Sequence, residues 1–207
     1  MILKVFLVAN PKGGSGKSTL ATNLAGLLTH TRMDSLVMLG DVDRQQSSGY
    51  WLKCRPASAL PIVTWEIEEG KPAKPPKGTT HAVLDTPAGM HGDRLKSVLK
   101  LADQVLVPVQ ASMFDLMASQ AFFEELAEAK AARGLPIGVV GMRIDERTRS
   151  AEQFHRFIES TGLPLLTSLR STQNYVQLAA HGLTLFDVAP HRVEKDLLQW
   201  DPIRAWV

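Results

Sequence analysis

Short, nearly unbroken apolar runs alternate with stretches of helical period along the whole chain. Seven runs read as strands: Val5–Ala9, Leu36–Leu39, Ile62–Trp65, Ala82–Leu84, Val105–Val109, Ile137–Met142 and Leu165–Leu169. Runs of this kind, apolar without alternation, suit strands covered on both faces, as in a parallel sheet. Between them lie helical patterns. Leu20, Leu24, Leu27 and Leu28 form one stripe behind the first strand, and the longest pattern runs from Leu116 to Arg133, rich in Ala, Glu and Lys. Two later helices are predicted over Ala151–Ser160, opened by Ser150, and Asn174–His181, closed by Gly182. The fold class that follows is α/β, a mostly parallel twisted sheet flanked by helices on both faces. Glu69–Thr80, with Pro72, Pro75, Pro76 and three lysines, reads as a surface loop, because too few residues precede it to form an independent α/β domain.

Composition narrows this picture. A chain of 207 residues fits a single domain over 1–207. With 44% hydrophobic and 21% charged residues it is an ordinary globular chain, neither disordered nor a membrane protein. The balance of 23 Lys and Arg against 21 Asp and Glu gives a net charge of +2, so any contact with DNA must come from local clustering. One cysteine, Cys54, excludes an internal disulfide framework and suits a reducing, cytoplasmic setting. The apolar start of the chain is too short for an export signal, and no span is long enough to cross a bilayer. No repeat is evident, and nothing ahead of the first strand has room for a separate DNA-binding domain.

The strongest chemical signal is Lys12-Gly13-Gly14-Ser15-Gly16-Lys17-Ser18-Thr19, between the first strand and an amphipathic helix. Pro11 stands where the standard phosphate loop has its leading glycine, so the run fits the form with an extra lysine instead. Small residues let backbone N–H groups close around phosphate oxygens, the helix start directs its positive end at them, Lys17 reaches the terminal phosphates, and the Ser18 hydroxyl can ligate Mg²⁺. Lys12 is an ammonium that a purely structural loop does not need; the loop aims it away from the chain's own phosphates, and those held by a second copy are an alternative target. Asp41, Asp43 and Asp85 each follow an apolar run, which gathers their carboxylates at the C-terminal edge of a parallel sheet. Each can also be read as a turn former or a helix cap.

Asn10 to Thr19 resembles the deviant Walker A box of the ParA/MinD ATPases. Asp41-Val42-Asp43-Arg44-Gln45 resembles the second box of that family, with Arg44 where proline is usual, and Val83 to Gly89 resembles its Walker B and switch segment. The short length, Tyr50-Trp51 and Ser171 to Tyr175 look most like the small plasmid-type ParA proteins. The resemblance implies a P-loop fold of the SIMIBI kind, with ATP and Mg²⁺ as cofactors. It implies catalytic roles for Lys12 and Lys17, with Asp43 orienting the attacking water, and metal binding by Ser18, Asp41 and Asp85. It places the base near Met142-Arg143 and Ala189-Pro190; no Asn-Lys-x-Asp guanine signature follows the strand, which favours ATP over GTP. It further implies an ATP-bound homodimer that binds DNA non-specifically, is nucleoid-associated, and is released when a ParB-like or other cargo adaptor stimulates hydrolysis.

Arg143, Arg147, Arg149, Arg156 and Arg170 are the candidate DNA contacts, although Asp145, Glu146, Glu152 and Glu159 interleave with them and leave a charge-mixed solvated face as the alternative. The helix from Leu116 is a second candidate docking face, for an adaptor; Met113, Met117, Phe122 and Phe123 are expected in the core. His30, His81, His91, His155, His181 and His191 show no metal-ligand spacing. Two other functions stay open. A membrane-associated MinD-type regulator would need a basic amphipathic tail, which Asp196, Asp201 and Pro202 oppose; the other is an ATP-dependent metabolic ligase of the dethiobiotin synthetase kind. An iron protein of the nitrogenase type needs two cysteines per subunit and is excluded. The cargo is not legible.

Overall fold

The computed structural model describes residues 3–31, 35–42, 46–65, 67 and 73–207. Among them six strands form one sheet: β1 (Lys4–Val8), β2 (Val37–Asp41), β3 (His81–Asp85), β4 (Gln104–Gln110), β5 (Ile137–Met142) and β6 (Leu165–Leu169). Every pairing is parallel, in the order β2-β3-β1-β4-β5-β6. The helices are α1 (Lys17–Thr31), α2 (Ser47–Lys53), α3 (Gly92–Leu99), α4 (Met113–Glu128), α5 (Arg149–Thr161), α6 (Gln173–Ala180) and α7 (Glu194–Trp206). The expected α/β class holds.

The unbroken apolar runs are explained by two cores, one on each face of the sheet. In β1, Val5 and Leu7 pack with Leu95, Val98, Phe122, Phe154 and Ile158, which belong to α3, α4 and α5. Phe6 and Val8 pack the other way, with Leu20, Leu24 and Leu27 of α1, Trp51 of α2 and Trp200 and Ile203 of α7. Each fully buried side chain of this size favours folding by roughly 1.5–3 kcal/mol, so neither face tolerates the polar alternation of a half-exposed strand.

Several expectations need correction. Ile62–Trp65 is not a strand but a single bridge, Val63 to Met38, held by Leu39 N donating to the Val63 carbonyl (2.8 Å) and Val63 N to that of Val37 (3.1 Å). Pro61 removes a donor just ahead of it, and Val63 is exposed, so nothing extends the pairing. The long helix starts earlier than expected, at Met113 with Ser112 as its cap, and stops at Glu128; Lys130–Ala132 is a separate 3₁₀ turn. Thr148, not Ser150, caps α5 by accepting from the Ala151 amide (3.2 Å). Within the expected surface loop Glu69–Thr80, residues 69–72 lie outside the described residues, while Ala73, Pro75, Thr79 and Thr80 are buried. That segment is therefore partly core.

Candidate functional site

Chain direction across the sheet reverses at β1, with β3 and β2 on one side and β4 to β6 on the other. Such a switch point opens a crevice beyond the C-terminal strand ends, and residues 9–16 leave β1 into it before α1 begins. The loop is pinned from several sides. Asn10 Nδ2 donates to the Pro108 carbonyl (2.8 Å) and to Ser119 Oγ (3.3 Å), while Asn10 Oδ1 accepts from the Lys12 amide (2.9 Å). Gln110 Nε2 donates to the Gly14 carbonyl (2.5 Å), and the Gly89 amide, in the expected switch segment, donates to the Pro11 carbonyl (2.8 Å). Gly16 has φ 98°, a backbone conformation that demands glycine, and a Cβ there would also press on the Met142 side chain, 2.8 Å from its methyl. Gly14 also has positive φ, whereas Gly13 does not and has room for a side chain.

Lys17 is buried and its Nζ donates to the Lys12 carbonyl at 2.9 Å, folding the ammonium back over the loop. The loop thus holds Lys12 by both its amide and its carbonyl. The Lys12 ammonium itself meets no protein acceptor among the described residues.

Asp41 and Asp85 end adjacent strands as in-register neighbours, with Val8 on the far side of Asp85. Both acids therefore stand at the level where the phosphate loop begins. Burial pushes the Asp85 carboxyl up to about 6; hydroxyls of Ser48 and Ser18 pull against this, Asp41 adds to it and Lys17 opposes it. Ser48, on α2, donates to Asp85 Oδ2. Asp41 Oδ2 accepts from the Gly49 amide (3.0 Å), so it does serve as a cap for α2. Asp43 and Arg44 lie outside the described residues.

Two buried oxygens at this edge have no hydrogen-bond partner, Ser15 Oγ and Asp85 Oδ1. Buried polar atoms are almost always paired, so the pair marks where a ligand belongs. A phosphate oxygen would accept from Ser15, and a metal-bound water would donate to Asp85. Among the described residues no group of three His, Cys, Asp or Glu gathers around a metal position. Magnesium fits that, since it takes one or two carboxylates together with phosphate oxygens and water; Ser18, Asp41 and Asp85 are of the right chemistry.

The remaining expected residues divide. Met142 is buried under Gly16, so its side chain packs the loop and has no face left for a base. Arg143 is exposed and has φ 55°, a conformation rare outside glycine, at the β5 edge. Pro190 is exposed and opens a 3₁₀ turn. Arg147 is paired with Asp145 (2.9 Å), and its hydrogen bonds hold that carboxyl down at about 2. Arg170 Nε donates to the buried Asp196 (2.6 Å), so it ties β6 to α7 rather than standing free. Arg149 and Arg156 are exposed on α5. Three positioning residues, Asn10, Ser48 and Gln110, were not expected from the sequence. Gln110 had a signal, a polar residue ending an apolar run like Asp41 and Asp85.

A larger cavity, about 820 Å³, lies at the opposite edge of the sheet, lined by Leu3, Leu36 and residues 74–80. It shares no residue with the phosphate loop.

A family model described as the CobQ/CobB/MinD/ParA nucleotide binding domain matches residues 6–185. The chain is 29% identical over 189 residues, 88% of this chain and 83% of the other, to the maintenance of carboxysome distribution protein A of Gloeobacter kilaueensis. Its fold superposes on a putative plasmid partition protein of Borrelia burgdorferi bound to AMPPNP (TM-score 0.74, 17% identity, all of both chains). It also superposes on the cell division ATPase MinD of Pyrococcus furiosus (TM-score 0.75, 15% identity, all of both chains). With the family match running through the loop, both strand-end acids and the far side of the sheet, the assignment rests on the whole domain and not on one motif: the chain belongs to the CobQ/CobB/MinD/ParA nucleotide-binding family.

Proposed function

We propose that this chain is a cargo-positioning ATPase in which ATP closes two copies face to face, the ATP-bound dimer holds DNA non-specifically in the nucleoid, and an adaptor on the cargo stimulates hydrolysis and release. The observation that carries this reading is Lys12. The loop holds its amide and its carbonyl at 2.9 Å each and leaves its ammonium without a protein partner. An unpaired cation carried on a fixed backbone beside a phosphate site is suited to meet charge from outside the chain, and the triphosphate of a second copy supplies it. Cations donated in this way stabilise phosphoryl transfer by roughly 10³–10⁵ in rate.

Bound magnesium-ATP supplies the phosphoanhydride that breaks and the divalent charge that steadies it. The chain's own part is positional. Loop amides and Ser15 hold the phosphates, Lys17 neutralises them, Ser18, Asp41 and Asp85 hold the metal, and Asp43 orients the water. The Gloeobacter relative, a maintenance of carboxysome distribution protein, favours a carboxysome over a plasmid as the cargo. The last helix, α7, buries Asp196, Trp200 and Ile203 in the fold, and no described helix is long and apolar enough to cross a bilayer.

Lys12→Ala tests the reading. It is expected to keep nucleotide affinity within about tenfold while losing ATP-dependent dimerisation and most turnover. Wild-type mass and turnover in that variant, by light scattering and phosphate release, would remove the trans-lysine from the account. Retention of the wild-type chain on DNA beads with ADP or without nucleotide, as strongly as with ATP, would remove the switch.

A further inference from the structure

The geometry points to a second contact between copies: we propose that Met113, Phe114 and Met117, on the first turns of α4, form the apolar centre of the dimer face beside the phosphate loop. This rests on the face-to-face dimer proposed above and says what besides nucleotide holds it closed.

The three side chains are 71%, 76% and 66% exposed, although the sequence pattern placed the two methionines in the core. Spaced at i, i+1 and i+4, they share one side of the helix. Further along, Phe122, Phe123 and Leu126 are buried in the α3–α5 core, and Ser119 is buried against Asn10. The helix is thus anchored along its length, with Leu116 of the first turn also packed on that core, and only the side that carries Met113, Phe114 and Met117 is left open. The first turns are ordered: Ser112 accepts from the Asp115 amide and its hydroxyl also meets the Asp115 carboxylate. Fraying does not account for the exposure. Single exposed apolar residues are ordinary, whereas a contiguous stripe of three large ones marks a contact surface.

Its position selects the occupant. Gln110, whose side chain holds the Gly14 carbonyl, is three residues from Met113, at most about 11 Å of chain. A body near enough to receive Lys12 therefore also meets the patch. An interface across a twofold axis uses the same face of both copies, and an apolar patch within that face brings no like charge into it. Flexible methionines adapt to such self-contact. The size also fits. Six such side chains expose on the order of 800 Å², short of the roughly 1,200 Å² at which specific interfaces become stable. The patch alone leaves the chain monomeric, and nucleotide with Lys12 supplies the remainder, which makes closure depend on ATP.

The test compares the wild-type chain, Phe114→Ser/Met117→Gln and Lys12→Ala by light scattering over a range of concentrations, with a non-hydrolysable ATP analogue and Mg²⁺. The double variant is expected to bind the analogue within about twofold of wild type and to dimerise about 100-fold more weakly, the loss of two central contacts. A double variant that dimerises within threefold of wild type overturns the patch and leaves the Lys12 reading standing, whatever other partner or lipid that variant fails to bind. A wild-type chain that stays monomeric with the analogue overturns both. Should the double variant lose nucleotide binding, Met117→Cys in a Cys54→Ser background decides. A short bis-maleimide must join two copies only when the analogue is present, and its failure to do so overturns the proposal.

Discussion

Asp85 carries a conflict between folding and function. Its carboxyl, ordinarily near 3.8, titrates at about 6 in the fold because it is buried. Between those values the folded chain binds the proton more tightly than the unfolded one, so this group favours folding at low pH. That contribution is lost as pH rises through about 6. At pH 7 the ionised, ligand-free form therefore costs about 3 kcal/mol relative to an unburied carboxylate. Asp85→Asn keeps an oxygen to accept from Ser48 and removes the charge. The expected result is a ligand-free chain that melts higher than wild type at pH 7.5, with the gap closing toward pH 4.5, and that has lost magnesium-dependent hydrolysis. A gap that does not change with pH in thermal melts would show that the charge is not its source. On the proposed metal role of Asp85, this is stability given up for activity, which a bound metal would restore.

The second helix, α2, is the element on which the acids depend. It has seven residues, its cap position Gln46 has φ 48° and makes no side-chain capping bond, and so it is held from outside. At its start Gly49 is bound to Asp41 and Ser48 to Asp85; past its end Arg55 lies 5.4 Å over the Trp51 ring and pairs with Asp187 at 2.8 Å. Arg55 and Asp187 are almost fully buried, and although burial alone would raise the Asp187 carboxyl, hydrogen bonds from Arg55 and Thr184 hold it below its usual range. Removing Arg55 leaves the buried Asp187 charge with only Thr184 and, at 3.8 Å, His30 against it. Arg55→Ala is expected to cost roughly 3–5 kcal/mol, a melting-temperature fall of about 6–20 °C for a chain of this size, and to weaken magnesium-dependent nucleotide binding through α2. A fall under about 2 °C would show that the pair is not the anchor. Little of this was legible in the sequence. The strand ends and the loop were, because apolar runs and glycine spacing are local. Ser48 was not, since its partner is fixed by the β2–β3 register 37 residues away. Met113 and Met117 were misplaced because a helical stripe shows that residues share a face, not that anything covers it. Ile62–Trp65 failed for the same reason: strand propensity does not supply a neighbour to pair with.

For the whole molecule the proposed DNA binding has to be reconciled with a net charge of only +2. Arg147 is spent on Asp145 and Arg170 on Asp196, which leaves Arg143, Arg149 and Arg156 exposed with no ion partner among the described residues. Arg149 and Arg156 are seven apart on α5 and so lie on one side of it. Arg149 sits in the first turn, where the helix dipole disfavours a cation. Three such charges on one copy would bind DNA weakly, and the proposed closure into a dimer would double them. Each phosphate contact contributes about −0.9 to the slope of log affinity against log salt, so the ATP dimer is expected near −5 and Arg149→Ala/Arg156→Ala near −2. Arg147→Ala should leave the slope of wild type unchanged, because its charge is already neutralised. Anisotropy titrations of a labelled duplex from 50 to 200 mM salt, a range over which affinity should fall about 10³-fold, read all three. An equal loss at Arg147 would mean that DNA draws it off Asp145, and a wild-type slope in the double variant would move the DNA face elsewhere on the molecule.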